Sequence, residues 1–389
     1  MKGSVIKVAG VIMLLLLFVA LPIITACSQP APAPAPAPSP APKPATSAAP
    51  APAPSPAAKP TPSPDAAPSP TPEKVQKYVS FISHGASGLT YFAAVAMASV
   101  ISKFSEIQAI TALYPGVAQW APAMNAAAAD IVWMSPYQPI QAYMGIGPFQ
   151  GKEKVRFRSL GSATDKMSTL VAICTSKTTG IKSIADLRGK RVYADLVAWV
   201  WPAPIMDAVL GVNGITRKDV TWLTFSDGDA AARDIIEGRA DAMITLVGGV
   251  TMNMAESKPG LYLIPLNAKE AAAVETQVPP FAARTVKAGS MGISVDTPTI
   301  AADWSLIVRP GMNNLTGYTL TKTMFEHLPD LYKAHDLMTG ITKDNAFIQW
   351  TFPYQEGAIK YYKEIGLWKP EYDAKQQKLL DEEKKIFGS

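Results

Sequence analysis

The sequence predicts an α/β protein, and three observations carry the prediction. From Lys77 onward, short runs rich in Val, Ile, Phe and Tyr alternate with stretches of helical period. The first such run, Tyr78 to Ser83, leads into the small residues Gly85-Ala86-Ser87-Gly88 and then a long helix-forming segment. The alternation continues for most of the chain, which argues for α/β layers with largely parallel sheets.

Element by element, Tyr78 to Ser83 is a strand and the following helix runs to about Phe104. Ile107 to Leu113 is a second strand, and a helix follows near Trp120 to Ala128. Asp130 to Met134 is a short strand, and Pro136 to Met144 is helical. Arg156 to Thr164 and Thr169 to Ser176 are expected as two separate strands. Ile184 to Leu187 is a helical turn, Arg191 to Ala194 a strand and Pro204 to Leu210 a helix. Thr221 to Phe225, Ala242 to Thr245 and Leu261 to Ile264 are strands separated by helices. Phe281 to Ala288 and Met291 to Val295 are two more expected strands. The last part of the chain is mainly helical, including Gly317 to His327 and Gln355 to Ile365. In such sheets ligands bind beyond the carboxyl ends of the strands, often near helix N-termini.

Whole-chain composition misdescribes this body. Of 35 prolines, 18 fall between Ser28 and Pro72, so the excess belongs to one segment. That segment is built from Ala-Pro, Ser-Pro and Lys-Pro repeats and has no residue that can fill a core. Proline fixes φ and disfavours helix in the residue before it. Residues 28–72 are therefore expected as a disordered, polyproline-II-like tether with a reach on the order of 140 Å. The segment serves equally as a spacer that lifts a domain off a membrane or as low-complexity filler of no tuned length.

Residues 1–27 have the form of an address. Lys2 and Lys7 precede the apolar run Val11 to Leu21, which ends in Pro22-Ile23-Ile24-Thr25-Ala26-Cys27. A basic start, a short apolar core and small residues before a cut site make a secretory signal. The tetrapeptide Ile24-Thr25-Ala26-Cys27 resembles a bacterial lipobox, which implies lipidation of Cys27 and membrane anchoring outside the cytoplasm, in the periplasm or at the cell surface. A plain signal anchor is the alternative.

Charge and inventory exclude several functions. The formal net charge of +5 falls to +2 over the body, and no basic run or arginine-rich stripe points to nucleic acid. Two cysteines and three histidines (His84, His327 and His335) leave no thiolate or histidine-rich metal site, and no cofactor is expected. Asp227-Gly228-Asp229 lacks the ligand spacing of a calcium loop and suits a helix N-cap. Ser87 lies outside a Gly-x-Ser-x-Gly elbow, and there is neither a P-loop nor a dinucleotide fingerprint. No catalytic role is expected. Cys174, within an apolar strand, is expected as an inert buried thiol.

Four segments then make a specific resemblance. They are Ser83-His84-Gly85-Ala86-Ser87-Gly88-Leu89-Thr90-Tyr91, Gly180 to Val192 (GIKSIADLRGKRV), Ala230 to Ala242 (AAARDIIEGRADA) and Gly357 to Gly366 (GAIKYYKEIG). In this order they resemble the TAXI family, the extracytoplasmic solute receptors of one branch of TRAP transporters. The resemblance covers roughly Tyr78 to Lys369. It implies a class II periplasmic-binding-protein fold, with two α/β lobes, a hinge and a ligand cleft. Lobe one would be residues 73–165 plus 286–389, and lobe two residues 166–285. Candidate hinges are Ala163 to Lys166 and Ala283 to Val286. The receptor would be a monomer that closes on a small organic solute and hands it to TRAP permease subunits in the membrane. A substrate-binding lipoprotein of an ABC importer and a lipid-anchored sensor are the alternatives.

The sequence departs from that family where its ligand loop should be. The relatives' small Gly-x-x-Gly-Ser-Gly-Thr loop becomes Tyr193-Ala194-Asp195-Leu196-Val197-Ala198-Trp199-Val200-Trp201-Pro202. A tryptophan wall favours a solute with an apolar or aromatic body, carrying one carboxylate. The family's Pro-Leu-His-Pro-Gly-Ala becomes Pro353-Tyr354-Gln355-Glu356-Gly357-Ala358.

The ligand contacts expected from this resemblance are His84, Gly85, Ala86, Ser87 and Gly88, with Thr90 and Tyr91 next in line. Ser135 and Tyr137 sit at another strand end, Trp199 and Trp201 form the wall, and Gly248 lies in a turn after a strand. Each has a structural reading beside the functional one. Ser87 suits a helix N-cap, Ser135 and Gly248 suit turns, and the two tryptophans suit a core.

Overall fold

The computed structural model describes residues 73–83, 85, 88–114, 116–196, 199–247, 260–289 and 293–388. The expected signal with Cys27, the tether, and His84, Ala86, Ser87 and Gly248 lie outside these residues.

One mixed sheet organises the described chain. Its strands run in the spatial order β2 (Gln108–Leu113), β1 (Tyr78–Ser83), β3 (Ile131–Met134), β10 (Thr297–Val308), β4 (Arg158–Ser176), β7 (Ala242–Leu246), β5 (Arg191–Leu196) and β6 (Thr221–Phe225). Two further strands pair off this path, β8 (Leu261–Leu263) on β4 and β9 (Ala282–Val286) on β10. The pairs β1–β2, β1–β3, β5–β6 and β5–β7 are parallel. The long central strands β4 and β10 are antiparallel to their neighbours. The largely parallel sheet expected from the alternation is thus corrected to a mixed one, with two parallel groups flanking an antiparallel centre.

The helices pack the faces. They are α1 (Leu89–Phe104), α2 (Val117–Asn125), α3 (Tyr137–Met144), α4 (Pro202–Val212), α5 (Gly228–Ile236), α6 (Ala268–Gln277), α7 (Asn314–Glu326), α8 (Leu328–Ala334), α9 (Glu356–Glu364) and α10 (Pro370–Phe387). Ile184–Leu187 forms a 3-10 turn held by a capping box between Ser183 and Asp186. Asp227 caps α5 through its carboxylate, which accepts the Ala230 N–H at 2.7 Å, as the sequence predicts. Four apolar clusters fill the space. One gathers side chains of β1 and β3 with α1, α7 and α9, and a second those of β1 and β3 with α2 and α3; two more lie around β5, β7, α4 and α5.

Two strand expectations change. The two strands expected at Arg156–Thr164 and Thr169–Ser176 are one strand, β4, 19 residues long. Ile293, Ser294 and Val295 are not a strand, Met291 lies outside the described residues, and a strand begins instead at Thr297. This is β10, for which no strand is expected from the sequence. The stretch contains Pro298, Asp303 and two alanines, all weak strand formers. It is a strand because pairing partners on both sides satisfy its backbone.

β4 and β10 are not in simple register. Ala163 pairs with Trp304 and Ser168 with Asp303, so β4 advances five residues while β10 advances one. Thr164, Asp165, Lys166 and Met167 bulge out of the ladder, with Asp165 at φ 56°. The Asp303 carboxylate ties this excursion together. It accepts hydrogen bonds from Thr164 Oγ1 and Ser168 Oγ, each at 2.7 Å. It also pairs with the Arg284 guanidinium on β9, at 3.1 and 3.0 Å. Gly340 backs the excursion, because a Cβ there would lie 2.2 Å from the Thr164 carbonyl oxygen.

Candidate functional site

Two parallel strand pairs, β1–β3 and β5–β7, run in opposite directions and end around the same place. β1 ends at Ser83, β3 at Met134, β5 at Leu196 and β7 at Leu246. Beyond their carboxyl ends lies a cavity of about 580 Å³, including its open mouth. The start of α1 contributes Gly88, Leu89 and Thr90, and the β3–α3 corner contributes Met134, Ser135, Tyr137 and Gln138. Thr169 comes from β4, Trp304 from β10, Leu246 from β7, and Trp199 and Trp201 from the β5–α4 loop. This is the position at which strand-and-helix layers bind ligands.

Burial divides the lining into a floor and a rim. Met134, Ser135, Gln138, Thr169, Trp201 and Trp304 are buried; Leu89, Thr90, Tyr137, Trp199 and Leu246 are half-buried, and Gly88 is exposed. The wall is aromatic. Trp199 and Trp201 stack with ring centroids 5.5 Å apart and planes 22° from parallel. Behind them Phe281 lies 5.8 Å from Trp201 and meets Tyr137 edge-on at 6.0 Å. Trp199 is tied to the end of β5 by its N–H, which donates to the Leu196 carbonyl at 3.1 Å. Trp201 is the residue that opens α4, ahead of Pro202, whose fixed φ suits a first helical turn.

The polar groups are few and uncharged. None of the described lining residues is Lys, Arg, His, Asp or Glu. Gly88 opens α1 without a side-chain cap, so the first turn of that 16-residue helix presents N–H groups that no helical carbonyl reaches. Their partial positive charge favours an acceptor group on a ligand. Thr90 is held to the end of β1 by a 3.4 Å hydroxyl contact with Ser83, whose own hydroxyl donates to the Gly85 carbonyl at 3.0 Å. Ser135 Oγ accepts the Tyr137 N–H at 3.4 Å, which fixes the turn into α3. Burial raises the Tyr137 hydroxyl above its ordinary pKa, opposed in part by a hydrogen bond from Gln141. The phenol is therefore a neutral lining group at physiological pH.

Six of the twelve expected contacts meet in this one cavity: Gly88, Thr90, Ser135, Tyr137, Trp199 and Trp201. Two described ones do not line it. Tyr91 turns to Phe92, with ring centroids 6.0 Å apart, because it lies one residue further round the helix than Thr90. Gly85 is half-buried and its carbonyl serves the Ser83 hydroxyl. Four lining residues had no signal in the sequence reading: Gln138, Thr169, Leu246 and Trp304. Thr169 and Trp304 reach the cavity only through the pairing of β4 with β10.

The changed Pro353-to-Ala358 segment lies elsewhere. Gln355 caps α9, its Oε1 accepting the Gly357 and Ala358 N–H groups at 2.6 and 3.2 Å. None of the segment's residues lines the cavity. Cys174 is buried in β4 as expected, and burial pushes its thiol up to about 12. Among the described residues, no group of three or more His, Cys, Asp or Glu side chains could hold a metal ion. No described helix is long and apolar enough to cross a membrane.

Solved structures with a related chain course share little sequence with this one. PhnD1 from Prochlorococcus marinus, in complex with methylphosphonate, aligns over 75% of this chain and 99% of its own, at 11% identity and a TM-score of 0.49. The alkanesulfonate-binding protein SsuA from Xanthomonas axonopodis pv. citri, bound to MOPS, aligns over 79% and 84%, at 14% identity and a TM-score of 0.40. An ancestral arginine-binding protein aligns over 69% and 100%, at 14% identity and a TM-score of 0.41. The sequence itself is more telling, for the profile of the NMT1-like family matches residues 82–366. This span holds every residue lining the cavity and all ten strands but the first four residues of β1, and on it the chain belongs to the NMT1-like family.

Proposed function

We propose that this protein is an extracytoplasmic receptor that captures a small organic solute in the cavity at the strand ends. The single observation that carries the reading is the convergence of four strand ends and a stacked tryptophan pair on one uncharged, largely apolar cavity. A cavity of this size and lining suits a solute with a flat apolar body. The first turn of α1 offers N–H groups to a carboxylate or another acceptor on that body. No group in the described lining is arranged for catalysis, and the solute leaves unchanged.

Mechanistically, the two parallel strand groups would act as lobes of residues 73–165 plus 286–389 and residues 166–285. The excursion at Thr164–Met167 and the neighbouring Arg284 on β9 are the places for a hinge between them. A bound solute touching α1 and α3 on one side and Trp199 on the other would favour the closed form. Resemblance of the four sequence segments to TAXI receptors supports delivery to a TRAP-type permease, with anchoring through Cys27.

Native mass spectrometry of the purified mature protein tests the reading. A co-purifying small molecule that returns chemically intact on denaturation, and whose rebinding lowers the radius of gyration in solution scattering, is the expected result. Turnover of that molecule, or rebinding with no change in scattering, would sink it. Deletion of the TRAP permease then separates transport from sensing, because uptake of the solute is lost only in the first case.

A further inference from the structure

The floor of the cavity holds a polar group that has no partner among the described residues. Gln138 is 5% exposed and its Oε1 is buried without a hydrogen-bond partner. Buried amides in native proteins almost always have partners, so an orphan on a cavity wall calls for an explanation. Gln138 is the second residue of α3, set there by the Ser135 turn, and its backbone is fixed. Close by in the lining, the Trp304 indole N–H donates to Thr169 Oγ1 at 3.0 Å. That bond uses one of the two lone pairs on Thr169 Oγ1 and leaves its O–H to donate. Gln138, whose Oε1 is unpaired, and Thr169, whose hydroxyl is free to donate, thus line one cavity with an aromatic wall.

We propose that Gln138 is a specificity-determining residue that accepts a hydrogen bond from an N–H or O–H on the ring of the solute. The solute class is then a heteroaromatic or phenolic acid. The ring lies against Trp199 and Trp201, its donor meets Gln138, and its acceptor group meets the Thr169 hydroxyl and the first turn of α1. This deepens the receptor reading of the same cavity and rests on it. A site with a buried acceptor discriminates strongly against an isostere that lacks the donor, because the acceptor is then desolvated and unpaired.

The test is a calorimetric comparison of two isosteres on the mature protein, indole-3-acetate and 1-benzothiophene-3-acetate. The sulfur replaces the ring N–H with little change in shape. Indole-3-acetate is expected to bind at least roughly ten-fold more tightly. In Gln138→Met the ratio of the two affinities is expected to collapse towards one. Gln138→Glu keeps an acceptor, so with the neutral pair indole and benzothiophene the preference for the N–H is expected to persist. Equal binding of the two acids by the unaltered protein, or a ratio that survives Gln138→Met, overturns the role of Gln138 and leaves the receptor reading standing. Binding of neither acid overturns the solute class; if the native protein also carries no co-purifying molecule, the receptor reading falls with it.

Discussion

Trp199 and Trp201 stand two positions apart and have different duties. Trp201 is buried in the cluster around α4 and Phe281, whereas Trp199 is half-buried and faces the cavity mouth. Trp199→Ala should therefore leave folding nearly intact but remove flat apolar contact worth ~1.5–3 kcal/mol. Calorimetric affinity for the solute is expected to fall roughly ten- to hundred-fold. Trp201→Ala should show the opposite balance, losing ~3–5 kcal/mol of stability in urea unfolding because it empties a core position. The sequence weighed pocket against core for both tryptophans, and the structure gives Trp201 both roles. A second residue carries a purely steric constraint. A Cβ on Gly357 would lie 1.8 Å from the Asn314 carbonyl oxygen and 2.5 Å from the Tyr318 nitrogen, because α9 presses on the start of α7 there. Gly357→Ala must push two backbones apart, and the urea midpoint should drop by the equivalent of ~1–3 kcal/mol or more.

At the scale of elements, the β4–β10 pair decides the geometry of the cavity. Its irregular register turns Thr169 and Trp304 toward the site, and Asp303 holds the irregularity closed with Thr164, Ser168 and Arg284. Asp303→Ala would strand two hydroxyls and a half-buried guanidinium, at a cost of about 1–3 kcal/mol in equilibrium unfolding. A loss below a few tenths of a kcal/mol would show that the cluster is dispensable. Short strands with a turn after them, such as Thr221–Phe225, were legible from periodicity, because both their ends are marked locally. β10 was not legible. Thr297, Thr299, Ile300, Trp304, Ile307 and Val308 favour a strand, but Pro298, Asp303 and two alanines break the local pattern, and pairing with β3, β4 and β9 completes it. The candidate site divides the same way. Six of its residues follow strands or open helices, positions that sequence can mark; Thr169 and Trp304 depend on the β4–β10 register, which it cannot.

For the whole molecule, an ion pair at the strand edge contributes to the acid dependence of stability. Asp241, next to β7, holds the Arg191 guanidinium and the backbone N–H of β5 at 2.8–3.0 Å. The Arg191 hydrogen bond holds the Asp241 carboxyl below its ordinary value of 3.8, against a smaller opposing effect of burial. A carboxyl depressed in the folded state stabilises the protein above its unfolded pKa, and that contribution is lost as pH falls through the folded one. Thermal stability should thus decline below pH ~3.8. In Asp241→Asn the midpoint should be lower at neutral pH, and the acid decline shallower. An acid profile identical to that of the unaltered protein would remove Asp241 from the account.

The sequence by itself determined the α/β class, the separation of a proline-rich segment from a body of ordinary composition, and the strand ends at which a ligand would sit. Those features are local, since periodicity, small-residue turns and composition act over a few residues. Only the tertiary structure decided that the sheet is mixed, that β10 exists, and that Gln138, with an unpaired Oε1, lines the same cavity as Thr169 and Trp304. Those features depend on register between strands more than 130 residues apart, as in the Trp304–Thr169 hydrogen bond. A one-residue slip in such pairing turns every side chain to the opposite face, and no local pattern records it.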